Sequence, residues 1–265
     1  MKKIVVFLFL FFVFIASRAS AQVFIEQGKI NLTVHPGEKI NDVVTVNNTS
    51  NKEVKVKIYW EDFSYQSPFE GTKKFSPAGT SADSLARWIE FSPHDFVLLP
   101  FAKNNISYTL NVPEDAKGGY YGVLFVEPEN KELSGDKGVK IITRVGCLFF
   151  VETADRVKRA SAEELAFDGC RLTGKLRNES NVIILPQATY YVMDREGGVV
   201  DRGELKKYYI PPGEVADIDV APNDLNIGDY TLVLTIDLQD GDVVVKEIDF
   251  TKNSDIDCRL NAVRD

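Results

Sequence analysis

Few residues in this chain are of a type and spacing to do covalent chemistry. His35 and His94 are its two histidines, each at a turn or strand end with no Cys or His at ligand spacing beside it. They read as surface residues, because a structural zinc site gathers four N or S donors. The run "GGYYG" (Gly118–Gly122) enters a strand and no helix, so it lacks the helix N-terminus that cradles a phosphate. No nucleophile-elbow signature is present. The 39 carboxylates fall singly on polar strand positions and in loops. Asp240 and Asp242 flank Gly241, which reads as a hairpin turn in preference to a calcium loop, since the dense ligand pattern of such a loop is missing. The expectation is no enzyme, no catalytic residue, no metal and no cofactor.

What remains is the chemistry of strand pairing. In "KGVKIITRVGCLFFVE" (Lys137–Glu152) the odd positions Val139, Ile141, Thr143, Val145, Cys147, Phe149 and Val151 are all apolar or β-branched. The even positions begin polar, at Lys140 and Arg144, and turn apolar at Leu148 and Phe150. That is a long strand, oily on one face and then on both. Cys147 within it reads as a buried free thiol acting as a small hydrophobe.

The elements that must hold this strand are themselves strands. Helical periodicity is nearly absent and period-two alternation recurs along the chain. The first half gives about seven strand signals, among them "VKVKIYW", "RWIEF", "NNISYTLNV" and "GGYYGVLFVEP". That is the strand count of an immunoglobulin-like sandwich. Residues 64–86 break the pattern and read as a long mobile loop. Its aromatics Tyr65, Phe69 and Phe75 are expected to form a flap over the sheet, or else a contact surface. Trp60 and Trp88 lie in strand-like runs and are expected in the core. "ETADRVKRASAEE" is charged and lacks alternation, placing a linker at residues 154–162. The second half repeats the theme, with hairpin turns at "REGGVV" and at Asp240-Gly241. "EDAKGGYYGVLF" and "NDLNIGDYTLVL" both carry the pattern of a tyrosine corner. The expected architecture is all-β: two tandem immunoglobulin-like sandwiches, residues 22–153 and 163–265.

The N-terminus has the layout of an export signal. Lys2-Lys3 is followed by thirteen apolar residues, Ile4–Ala16, and by Ala19-Ser20-Ala21, so cleavage is expected before Gln22. Loss of Lys2, Lys3 and Arg18 would take the net charge from −8 to −11, a balance that repels nucleic acid. A periplasmic or extracellular, oxidising location is expected, with no integral membrane segment after cleavage. There a Cys170–Cys258 bridge is one pairing the odd set of three cysteines allows, although spacing does not fix connectivity. Sequons at Asn31, Asn48, Asn105 and Asn178 matter only in a eukaryotic secretory host.

"VTVNNTSNKEVKVKIYWED", "RWIEFSPHDFVLLPFAKNNISYTLNVPEDAKGGYYGVLFVEP" and "RVGCLFFVE" resemble bacterial secreted immunoglobulin-like proteins related to periplasmic pilus-assembly chaperones. The first domain of WxL-type surface proteins is similar too. The resemblance covers roughly residues 23–152. It implies that the last strand of the first domain is lent to an incomplete client sandwich, its alternate apolar side chains filling a missing core position. It also implies a cationic anchor for the client's terminal carboxylate. Lys29 is what the first strand offers, Cys147 stands where a lysine is expected, and Arg144 is a substitute nearby.

Two readings of function follow. In the first, the chain is a chaperone-like factor that binds a surface or pilus-type protein through Val139, Ile141, Thr143, Val145 and Phe149, with Arg144 beside them. In the second, that strand is used up by its own sandwich, and the chain is a structural or adhesive surface module binding protein or glycan through its loops.

Overall fold

The computed structural model describes residues 23–129, 143–223 and 225–265. The expected export signal (1–21) and the candidate strand residues Val139 and Ile141 lie outside them.

Among the described residues the regular elements are strands, apart from one short 3-10 turn. The first half holds β1 (Val23–Ile25), β2 (Lys29–Val34), β3 (Lys39–Asn48), β4 (Val54–Tyr65) and β5 (Lys73–Pro77). It continues with β6 (Ile89–Ser92), β7 (Asp95–Leu98), β8 (Lys103–Asn111), β9 (Gly119–Pro128) and β10 (Val145–Thr153). Two sheets pack face to face, one ordered β1-β3-β8-β6 and the other β2-β10-β9-β4-β5, with β7 also on β4. Val44, Val46, Val56, Ile58, Trp60, Ile106, Leu124 and Phe149 fill the space between them.

The second half holds β11 (Ala160–Asp168), β12 (Arg171–Asn178), β13 (Gln187–Met193) and β14 (Val199–Glu204). β15 (Val215–Val220), β16 (Gly228–Asp237), β17 (Val243–Ser254) and β18 (Asp257–Arg264) complete it. Its sheets run β11-β12-β15 and β14-β13-β16-β17-β18. The tandem immunoglobulin-like architecture read from the sequence is the one observed. Residues 154–159 carry no strand, and β11 opens at Ala160, inside the span expected to be linker.

One local expectation changes. Residues 64–86 are not one mobile loop. β5 folds back on β4, with Glu61 opposite Pro77 and Tyr65 opposite Lys73. A short 3-10 turn then spans Leu85–Arg87. The fully buried Asp62 carboxylate organises this stretch by accepting from the Thr80 and Ser81 N–H groups and the Ser84 hydroxyl. Such satisfaction of a buried carboxyl group by residues 18–22 positions away leaves no periodic trace in sequence. The flap aromatics divide: Tyr65 and Phe69 are buried, while Phe75 is 37% exposed.

The four sequons divide by burial. Asn48 and Asn178 are 3% and 0% exposed, their amides bound to backbone carbonyls. Asn31 and Asn105 are exposed. Cys170 and Cys258 are joined in a disulfide, and Cys147 is a buried free thiol.

Candidate functional site

β10 changes character along its length. From Leu148 to Thr153 it lies between β9, antiparallel, and β2, parallel, with Leu148 opposite Lys29 and Thr153 opposite Val34. From Val145 to Cys147 it pairs with β9 alone among the described residues. The Leu148 N–H donates toward the β2 side, to the Gly28 carbonyl at 3.1 Å. Strand alternation therefore turns the N–H and C=O of Gly146 toward the same, unpaired edge.

The side-chain faces explain the change from one oily face to two. Cys147, Phe149 and Val151 enter the core of the first sandwich. Phe150 lies on the opposite face with Phe63, Tyr121, Val123 and Phe125, in a buried cluster that continues into the second sandwich through Ile183, Ile184 and Tyr208. Both faces are apolar where a second domain covers the sheet.

The candidate residues are thus dispersed in role. Thr143 is exposed and Val145 half-buried at the rim of the first core. Phe149 is a correction. It is fully buried between Trp60 and Tyr108, both ring centroids 5.2 Å away, so its own core consumes it. Arg144 is engaged on its own sheet. Its guanidinium lies 3.7 Å from the Phe125 ring centroid, pairs with Glu61 at 2.8 Å and donates to the Tyr59 hydroxyl at 3.0 Å. Burial pushes the Cys147 thiol up to about 12, so the position resembling an anchoring lysine holds an inert group instead.

Where the open edge of β10 meets the start of β2, the chain places Lys29. Its ammonium sits 4.0 Å from the Phe150 ring centroid and has no ion-pair partner among the described residues. Burial lowers its pKa, and the charge of Glu152 opposes that shift in part. A cavity of about 310 Å³ opens here between the sandwiches, lined by Lys29, Asn31, Phe150, Glu152 and, across the gap, Leu185 and Asp240. Lys73, whose pKa burial also lowers, stands nearby, its ammonium 4.8 Å from the Tyr65 ring centroid. Asp240 is taken by Arg156 and Lys158, which reach it from the connecting segment. Among the described residues no cluster of His, Cys, Asp or Glu could hold a metal ion.

Sequence reasoning named Lys29 and missed Glu152, Arg156 and Lys158 as its neighbours. They read as a charged linker, and only the fold turns them into the cleft.

No protein-family model and no curated relative matches the chain. Solved structures do. A chaperone–tip adhesin complex of CFA/I fimbriae biogenesis aligns over 85% of this chain and 97% of that one, at 14% identity and a TM-score of 0.54. The class 5 fimbriae chaperone CfaA aligns over 84% and 97%, at 13% identity and a TM-score of 0.52. At such identities the likeness is one of fold. The similarity to WxL-type proteins finds no support in these comparisons.

Proposed function

We propose that this protein is a non-enzymatic, exported binding factor that takes an extended segment of a partner protein onto the open edge of β10, as an assembly chaperone for surface or pilus-type subunits does. The observation that carries this reading is the position of Lys29 at the end of that edge. A strand added beside Val145–Cys147 lies in line with β2, and β2 begins at Lys29 opposite Leu148. An added strand parallel to β10 ends its run against Lys29, so its terminal carboxylate meets an unpaired cation in a partly dry cleft. Thr143 and Val145 flank the captured segment, and Arg144 borders it over Phe125. The fold-level likeness to fimbrial chaperones supports the reading, one of them being known in complex with a tip adhesin.

Of the loop aromatics on which the adhesive alternative draws, Tyr65 and Phe69 are buried. A capped peptide of alternating Val and Thr, free at its C-terminus, tests the proposal. The mature protein should bind it more tightly than the C-terminal amide, and Lys29→Met should abolish the difference. Equal affinity for acid and amide in the native protein would refute the anchor.

A further inference from the structure

The cleft that holds Lys29 also holds an acid of its own. Glu152, near the end of β10, lines the same cavity. Titratable or charged groups reach it from several elements, while Ile183 and Leu185 bring only apolar surface. Lys29 comes from β2, Tyr121 from β9, Arg156 and Lys158 from the connecting segment, and Asp240 from the β16–β17 turn. Arg156 reaches Glu152 at 2.9 Å and Lys158 at 3.9 Å, and both also pair with Asp240. Lys29 is therefore the one cation of this group without an ion-pair partner among the described residues, and Glu152 is the anion whose charge acts on it most.

Resting on the strand-capture reading above, we propose that Glu152 is a resident counter-anion of the cleft, and that capture of a partner's terminal carboxylate is coupled to uptake of one proton by Glu152. The proton comes from solvent and sits on the Glu152 carboxyl, leaving Lys29 to the incoming carboxylate. An incoming carboxylate adds a further negative charge beside Glu152 and Asp240 in the same cavity, the carboxylates repel each other, and the one that can neutralise does so. Glu152 is the group prepared to yield. Burial already holds its pKa above the ordinary 4.5, against the pull of Lys158, Arg156 and Lys29. Asp240 is not, being held low by hydrogen bonds from the same two cations that outweigh its burial. The sign follows: a bound anion raises Glu152 further, so affinity for a free carboxylate increases as pH falls toward the Glu152 titration. An exported protein would thereby hold its partner more firmly in acid and let it go more readily as pH rises.

The test uses the same Val/Thr peptide, as free acid and as amide, with the mature protein. Affinity for the acid should rise about tenfold from about pH 8 to about pH 5 as Glu152 takes up its proton. The amide should show no such rise. Calorimetry in buffers of different ionisation enthalpy should register proton uptake for the acid peptide alone. Glu152→Gln should bind the acid near neutrality as tightly as the native protein does in acid, with a flat pH profile. A carboxyl-carbon NMR titration of Glu152, with and without peptide, reads the coupling in the native protein and does not depend on the variant folding. Binding of the acid that is independent of pH, without proton uptake, would overturn the proposal and leave strand capture standing. No binding of the acid peptide at any pH would overturn both.

Discussion

The phenol oxygen of Tyr121, in the first sandwich, accepts a hydrogen bond from the backbone N–H of Ile183, in the second, at 2.8 Å. Tyr121 is 1% exposed and belongs to the buried cluster shared by both halves. The Gly119 N–H adds a second bridge to the Asn181 carbonyl, and the Tyr209 N–H a third, to the Phe69 carbonyl. Tyr121→Phe strands the Ile183 N–H without an acceptor, which should cost about 1–3 kcal/mol. Because the core runs through the joint, both halves should unfold in one denaturant transition, in the native protein and the variant alike. Two separated transitions in the native protein would disprove the shared core.

Tyr121 also shows where the sequence stops being legible. The tyrosine-corner pattern was readable in both halves, and in the second it holds: the Tyr230 hydroxyl donates to the Asn226 carbonyl at 2.9 Å. In the first half the same motif sends its phenol across to another domain. Local spacing encodes the turn, but the partner depends on a surface supplied 62 residues later. The β10 strand divides in the same manner. Its alternation and its two-faced end were plain, while the consumption of Phe149 and the cover given by β2 depend on register between distant strands. Lys29 and Glu152 lie 123 residues apart, and no period in the sequence relates them.

Phe149 and Val145 should separate folding from binding. Phe149→Ala empties a core position between Trp60 and Tyr108 and should destabilise by about 3–5 kcal/mol, read by denaturant titration. Val145→Asp places a charge at a half-buried rim beside the open edge. It should cost about 1–2 kcal/mol and leave a native circular-dichroism spectrum, yet remove strand capture. A Val145→Asp protein that is folded and still captures the peptide would exclude this edge.

Asn178 and Asn48 should behave as equivalent latches in the two sandwiches. The Asn178 amide donates to the Val182 and Ile210 carbonyls at 2.9 and 2.8 Å, and its oxygen accepts from the Ser180 N–H. Asn48 does the same with the Lys52 and Leu98 carbonyls and the Ser50 N–H. Alanine at either site leaves buried backbone groups unpaired, at about 1–3 kcal/mol for each group. Thermal unfolding of the two single variants should show comparable losses, and Asn105→Ala, at an exposed site, should be close to neutral.

The acid limb of stability should carry opposite contributions from the two cleft carboxylates. Burial pushes Asp240 up, but hydrogen bonds from Lys158 and Arg156 win and hold it at about 2. Its stabilisation is present above its ordinary 3.8 and is lost as pH falls from there through about 2. With 46% of its side chain exposed, solvent screening limits this to within about 1 kcal/mol. Glu152 is raised, so its ionised form works against the fold, and the molecule gains stability as pH falls toward 4.5. Asp240→Asn should flatten the limb below about pH 4, and Glu152→Gln should stabilise near neutrality. Both are measured by urea titration across pH.

The cysteines should report redox state and core integrity separately. The Cys170–Cys258 bridge spans a sequence separation of 88 and ties the β11–β12 turn to the start of β18. On loop entropy such a closure stabilises by about 4–5 kcal/mol, so Cys258→Ser, or reduction, should lower the unfolding midpoint by that equivalent. Cys147 should stay silent to a thiol reagent in the native protein, because burial holds its pKa at about 12 and no solvent path reaches it. In denaturant without reductant one thiol should titrate, and with reductant three. Rapid labelling of Cys147 in the folded protein would mean that β10 leaves its sheet, and that its partner takes more of the strand than the open edge.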